Sequence, residues 1–283
     1  MPAIMPIISA ILIALSVIII IAVIYIFLTL PRVFDPANMD YLLIDYAHRG
    51  LHDKESPENS LSAFAKAVEE NHGIELDVQL SSDGEIFVFH DDSLKRMCGV
   101  DKKIHELTAE EIKSYRLLDT NESIPTLDEV FKLVDARVPI LIEIKYYART
   151  TELCAALASA LDKYYGIFAV QSFDPRVLRY FKKHRPRFAR GQLVGKPLPR
   201  SQRKGEKNEN PIVSFLLTHL LLNFISRPDF ISIQNNHARE LGFVLATEVF
   251  KAKGFIWTVR SNKQFNFFKR QGYINIFENF KPE

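Results

Sequence analysis

The chain has 283 residues, 47% apolar and 25% charged, enough to bury a core as one large domain or two ordinary ones. Its 36 basic and 34 acidic residues leave a net charge of +2, too small to argue for a nucleic-acid surface. The two cysteines, Cys98 and Cys154, have no C-x-x-C spacing, so zinc-ribbon and thioredoxin readings are unsupported and two unpaired thiols are expected.

The first thirty or so residues differ from the rest. From Ile4 to Leu30 there is no charged residue, and the run would make about 40 Å of helix against a hydrocarbon core of about 30 Å. A cleaved signal peptide is the alternative; the run exceeds the usual apolar core of such a peptide, and no Lys or Arg precedes it. Pro2 and Pro6 place the helix start near Ile7. The expectation is therefore a single-pass anchor over residues 1–31 in the cell membrane. Arg32 and Arg49 follow it, a basic bias that leans toward a cytoplasmic location for the rest of the chain and leaves the side open.

Residues 32–40, with Pro31 just before and Pro36, Asn38 and Asp40 within, read as a linker. The remainder, 41–283, alternates strand and helix patterns. Strands are expected at 41–47, 74–80, 138–144, 167–172, 188–194, 230–234, 255–259 and 273–277. Helices are expected at 126–135, 150–164, 175–184, 238–251 and 263–271, and one begins after Ser60, a suitable N-cap. The run 85–89 follows 74–80 across Ser81-Ser82-Asp83-Gly84, a turn too short for a parallel crossover, and is expected as a hairpin extension. Eight strands separated by helices specify a (β/α)8 TIM barrel, with an open doubly wound sheet as the alternative. Between 196 and 227 a basic loop (Arg200, Arg203, Lys204, Lys207) precedes a very apolar segment, Val213 to Ile225. Thirteen or so residues are too few to cross a bilayer, so the segment either packs on the barrel or lies at a membrane interface.

The chemistry concentrates at strand ends. Period two puts Glu75 and Asp77 on one face of their strand, opposite Ile74 and Leu76, and repeats the pattern with Glu143 and Lys145. Inward carboxylates in a parallel barrel are costly unless paired or metal-bound. Three of them form an oxygen site for a hard divalent cation, Mg²⁺ or Ca²⁺. His48 and His90 bracket the first pair and would supply one acid and one base. Arg49 offers a planar fork for phosphate oxygens and Lys145 a point charge. Gln171 and Trp257 end later strands, where Trp257 serves equally as core. The remaining histidines, His52, His72, His105, His184, His219 and His237, have no supporting constellation.

Taken in order, Ala47-His48-Arg49-Gly50, Pro57-Glu58-Asn59, Glu75-Leu76-Asp77, Phe89-His90-Asp91-Asp92, Glu143-Ile144-Lys145, Gln171-Ser172-Phe173-Asp174-Pro175 and Trp257-Thr258-Val259 resemble the glycerophosphodiester phosphodiesterases, over roughly residues 44–280. The resemblance implies a TIM barrel with a small inserted subdomain, here at about 84–125. It also implies metal-dependent hydrolysis of a glycerophosphodiester to glycerol 3-phosphate and an alcohol. Catalytic His48 and His90, metal ligands Glu75, Asp77 and Glu143, and substrate contacts Arg49, Lys145, Gln171 and Trp257 follow from it. Two positions depart from the family's pattern: Glu278 within Phe277-Glu278-Asn279-Phe280-Lys281-Pro282, and Arg260 where an asparagine is common. Both are expected to bear on substrate choice and to lie outside the metal and histidine set. Partners are then a small-molecule or lipid-derived phosphodiester and membrane lipid, with no nucleic acid and no obligate protein partner. A lysophospholipase-D-like activity on membrane lysolipids, and a non-catalytic membrane-tethered binding module, are the competing readings.

Overall fold

A computed structural model describes residues 4–34, 37–195 and 210–282. Helix α1 (Ile4–Thr29) precedes strand β1 (Tyr46–His48), helix α2 (Leu61–Glu69), strand β2 (Gly73–Leu80) and the short strand β3 (Ile86–Val88). Two short helices follow, α3 (Lys95–Cys98) and α4 (Ala109–Ser114), then α5 (Leu127–Val134) and β4 (Ile140–Ile144). The alternation continues through α6 (Thr150–Leu161), β5 (Phe168–Ser172), α7 (Pro175–His184) and β6 (Arg190–Val194). Helices α8 (Pro211–Thr218) and α9 (Asn223–Ser226) lead to β7 (Phe230–Gln234), α10 (Leu241–Val244), β8 (Lys253–Val259), α11 (Asn262–Arg270) and β9 (Ile274–Phe277).

The strands run β1-β9-β8-β7-β6-β5-β4-β2 and close by pairing β1 with β2, all parallel, while β3 adds antiparallel to β2. This is a closed TIM barrel with the expected hairpin extension. Outward residues such as Ile74, Leu76, Ile140, Ile142 and Val170 pack under the helices. Inward residues Tyr46, Leu141, Phe230, Phe255 and Ile276 fill the barrel's lower layer. Gly191 makes room there, since a Cβ would lie 2.0 Å from the Phe230 ring. Above this apolar floor the same inward faces turn polar, and that switch positions the site.

Residues Phe87, Phe89, Leu94, Met97, Ile104, Leu107, Ile112, Leu117 and Ile124 form a separate apolar cluster over the segment between β3 and α5. Helices α4 and α5 start at capping boxes, Thr108 with Glu111 and Thr126 with Glu129. Helix α2 starts at Ser60, whose hydroxyl accepts from the Ala63 amide.

Three boundaries differ from the sequence reading. The first strand begins at Tyr46, not 41, because Asp40–Leu42 turns as a 3₁₀ helix whose Leu42 carbonyl accepts from the Tyr46 hydroxyl at 3.0 Å. The stretch 238–251 is not one helix: α10 gives way to a π turn at Leu245–Val249. Gly242 lets that segment approach closely, its missing Cβ lying 2.8 Å from the His219 carbonyl. Helix α6 ends at Leu161, short of Tyr164. Cys98 and Cys154 are both free thiols. Within α1, Ile7–Thr29 is long and apolar enough to cross a membrane, a test that a signal sequence also passes. The loop cations Arg200, Arg203, Lys204 and Lys207, and Pro36 of the linker, lie outside the described residues.

Candidate active site

The barrel register assembles the acidic centre. Asp77 on β2 aligns with Glu143 on β4, and Glu143 with Gln171 on β5, so three polar groups share one level on adjacent inward faces. On the other side, His48 on β1 aligns with Glu75. Glu75, Asp77 and Glu143 are 2%, 1% and 7% exposed, and one oxygen of each lies within 4.8 Å of the others.

Such a cluster is electrostatically loaded. Burial, then Asp77 and Glu143, push the Glu75 carboxyl well above the usual range. Burial raises Glu143 also, against the pull of Lys145. Burial works the same way on Asp77, but Lys145, His90 and Arg49 override it and hold Asp77 below its ordinary value. Lys145 Nζ sits 2.8 Å from Asp77 Oδ1 and also donates to Glu143. Asn59 Nδ2 donates to Asp77 Oδ2 at 2.9 Å, and Gln171 Nε2 to Glu75 at 3.3 Å. The amide oxygens of Asn59 and Gln171 are themselves buried without a hydrogen-bond partner. An all-oxygen donor set with an excess of buried negative charge fits a hard divalent cation.

Both histidines flank this centre, and each is backed by a carboxylate. His48 Nδ1 donates to Glu278 Oε2, and His90 Nδ1 donates to Asp91 Oδ1 at 2.7 Å. An ionised carboxylate only accepts, so each ring carries its proton on Nδ1 and leaves Nε2 for chemistry. His48 Nε2 lies 4.0 Å from Glu75. Burial, then Arg49, lowers the His48 pKa; burial, then Lys145, lowers that of His90 to about 4.

Each backing carboxylate is in turn held by an arginine. Arg260 donates to Glu278 at 2.7 Å, and Arg96 of α3 donates to Asp91 at 2.7 Å and to Glu58 at 2.6 Å. Glu58 also accepts from Arg49 at 2.7 Å, and Arg96 and Arg49 overcome burial to bring it to about 2. Arg49, with Nε 3.6 Å from Asp77, thus joins the acidic centre to the segment between β3 and α5. The Arg49 backbone is left-handed and is followed by Gly50 at φ +84°, where a Cβ would meet Ala63 at 2.9 Å. That turn aims the guanidinium inward.

The site therefore gathers His48, Arg49, Glu75, Asp77, His90, Glu143, Lys145 and Gln171. Trp257 stands apart: it is half-buried, its Nε1 donates to the Ser232 carbonyl at 3.1 Å, and its ring meets Phe173 edge-on at 5.8 Å. Sequence reasoning missed the supporting shell. Glu278 and Arg260 had been placed outside the histidine set, whereas they pair with each other and Glu278 touches His48. His52, set aside as background, lies 3.9 Å from Glu278. Asp91, Glu58 and Arg96 had no assigned part.

Residues 48–281 match the Glycerophosphoryl diester phosphodiesterase family. A glycerophosphodiester phosphodiesterase of Caldanaerobacter subterraneus is 43% identical over 110 residues, 35% of this chain and 44% of that protein. Across the first three curated relatives the matched segment spans 43 to 61% of their own length. Among solved structures, a phosphodiesterase of Oleispira antarctica, in complex with the product sn-glycerol-3-phosphate, is similar with a TM-score of 0.68. It is 23% identical, over 84% of this chain and 94% of that one. The glycerophosphodiester phosphodiesterase of Thermotoga maritima gives a TM-score of 0.63 and 29% identity, over 83% and 93%. With the match covering most of the chain, and the barrel and acidic centre in place, this protein belongs to the glycerophosphoryl diester phosphodiesterase family.

Proposed function

We propose that the chain hydrolyses glycerophosphodiesters to glycerol 3-phosphate and an alcohol in a metal-dependent reaction. The observation that carries this reading is the buried Glu75–Asp77–Glu143 centre between two carboxylate-backed histidines. Those three residues would hold the cation, Mg²⁺ or Ca²⁺, whose chemistry is to polarise a phosphoryl oxygen and neutralise charge that develops on it. Arg49 and Lys145 would clamp the remaining phosphate oxygens. Gln171 on β5, and Trp257 three strands further round the barrel on β8, would line the substrate's path. One neutral imidazole takes the proton of the attacking hydroxyl at Nε2; the other, having first taken a proton from solvent at its own Nε2, gives it to the leaving alcohol oxygen. Over the cycle, water supplies the oxygen that ends on phosphorus and the proton that ends on the alcohol.

The insertion at about 84–125 contributes through Arg96, which fixes the acid partner of His90. Helix α1 is read as a single-pass anchor in the cell membrane, with the side of the catalytic part left open. That location supports a second reading, hydrolysis of membrane lysolipids at the headgroup phosphodiester. The full chain in nanodiscs, assayed on glycerophosphocholine, glycerophosphoglycerol and lysophospholipids with and without EDTA, decides between them. Chelation is expected to abolish turnover and Mg²⁺ or Ca²⁺ to restore it. Full activity after exhaustive chelation removes the metal from the reaction, and no turnover of any diester by folded protein removes the function.

Glu278 is a positioning residue for His48 on this reading. Glu278→Leu is expected to lower kcat by about 10–100-fold with KM little changed, while Glu278→Gln, whose amide oxygen still accepts from Nδ1, recovers part of the loss. Equal loss in both variants, or a change confined to KM, would show that Glu278 acts on the substrate and not through His48.

A further inference from the structure

Residues 211–226, Pro-Ile-Val-Ser-Phe-Leu-Leu-Thr-His-Leu-Leu-Leu-Asn-Phe-Ile-Ser, contain no Asp, Glu, Lys or Arg. An outer helix of a barrel ordinarily turns a polar face to water. Helices α8 and α9 do not: Ile212 is 66% exposed, Phe215 56% and Phe224 37%. A helical stretch apolar on every side calls for an apolar medium on its outer side as well.

The position of that stretch identifies the medium. The last turn of α1 is docked on α9. Asn223 Nδ2 donates to the Thr29 carbonyl at 2.9 Å, and Arg227 donates to the carbonyls of Phe27 and Leu30 at 2.8 Å each. The Phe27 and Phe224 rings lie 6.1 Å apart, and the Arg227 guanidinium covers Phe27 at 4.8 Å. Arg32, just past α1, adds an ion pair to Asp229 at 3.4 Å. The exposed apolar surface of α1 therefore continues, through Phe27 and Phe224, onto α9 and the helix just before it.

Charge on the neighbouring helix is complementary to an anionic surface. Helix α7 packs against α9, and Lys182 donates to the Ile225 carbonyl at 3.2 Å. From Pro175 to Arg187 there is no acidic residue. Arg176 and Arg185 pair with Asp174 and Asp162, whereas Arg179 and Lys183, one turn apart on an exposed face, make no ion pair among the described residues. Burial and then Arg190, Arg227 and Arg179 push the Lys182 ammonium down, which marks a local excess of positive charge.

We propose that α7, α8 and α9 form a second membrane contact beside the anchor: Ile212, Phe215 and Phe224 enter the interface and Arg179 and Lys183 meet anionic headgroups. The proposal rests on reading α1 as a membrane anchor. These three helices of the outer ring thereby hold the barrel against the bilayer, where a single tether would leave it free to swing. A second copy of the chain is the other occupant for such a face, but it would bring the α7 cations of two copies together.

The test uses the full chain in a Cys98→Ser, Cys154→Ala background, reconstituted in phosphatidylcholine vesicles with or without phosphatidylglycerol and doxyl-labelled lipid. A fluorophore is placed through Phe215→Cys, through Ile20→Cys in α1, or through Lys132→Cys on α5, an exposed site elsewhere on the barrel. Circular dichroism confirms the fold of each. Position 215 is expected to be quenched nearly as strongly as position 20, with position 132 unquenched. Adding phosphatidylglycerol should deepen the quenching at 215, and Arg179→Glu with Lys183→Glu should reverse that gain. Quenching at 20 with none at 215 overturns the seat and keeps the anchor. No quenching at either overturns both. Crosslinking of copies through position 215 without quenching assigns the face to a second copy and overturns the lipid contact.

Discussion

His48→Ala and His90→Ala are each expected to lower kcat by about 10²–10⁴-fold with the fold unchanged, because each imidazole carries one proton transfer. The geometry makes the two losses comparable. Each ring has Nδ1 committed to a carboxylate, Glu278 for His48 and Asp91 for His90, and each carboxylate is fixed by an arginine. Burial favours the neutral form of both imidazoles, so the ring that acts as base can accept at Nε2 directly, while the ring that acts as acid must first be protonated there. Neither ring belongs to the apolar floor of the barrel; His90 is 30% exposed at its side chain and His48 13%. Loss of fold is therefore not the expected cause of inactivity, and circular dichroism with a thermal melt checks it. A folded variant that keeps more than about a tenth of the wild-type rate is not missing its acid or base.

The acidic centre was readable from sequence because period two fixes which residues of a strand share a face. Glu75 with Asp77 and Glu143 with Lys145 needed only that rule, and the barrel register then laid Asp77, Glu143 and Gln171 side by side. The hairpin at 81–84 was equally readable, since a short turn permits only an antiparallel partner. What stayed hidden was contact across long separations. Glu278 reaches His48 because the barrel closes by pairing β9 with β1, with Phe277 opposite Ala47, so the next residue along each strand stands beside the other. That neighbourhood follows from closure and the register of the first and last strands, and was derivable once eight strands were assumed. Arg96 lies in a segment without the barrel's period, and no spacing rule ties it to Glu58 or Asp91. The apolar stretch 211–226 was recognised as unusual, but packing on the barrel and contact with lipid were posed as alternatives. In the fold its inner residues Thr218, Leu220 and Asn223 are buried while Ile212 and Phe215 face outward.

Replacing a carboxylate of the centre should separate stability from activity. Glu75 is almost fully buried, and its carboxyl is pushed up by burial and by the two neighbouring acids. In the metal-free protein a neutral amide at this position relieves that repulsion while keeping the shape and the Gln171 contact. Glu75→Gln is thus expected to melt a few degrees higher than wild type in EDTA. Asp77→Asn should do the opposite, since Lys145 and Arg49 stabilise its charged form and Lys145 would be left to Glu143 alone. With metal added the order reverses for Glu75→Gln. Wild type gains stability with cation concentration, by about 2.7 kcal/mol at a hundredfold excess over Kd, and the variant loses that gain together with turnover. Melting curves across an Mg²⁺ or Ca²⁺ titration read both effects in one experiment. A variant whose Tm climbs with metal as the wild type's does retains the full ligand set, and its substituted residue is then not a ligand. A Glu75→Gln protein less stable than wild type in EDTA would show instead that the carboxylate is held by a favourable partner, and that the centre does not carry excess negative charge.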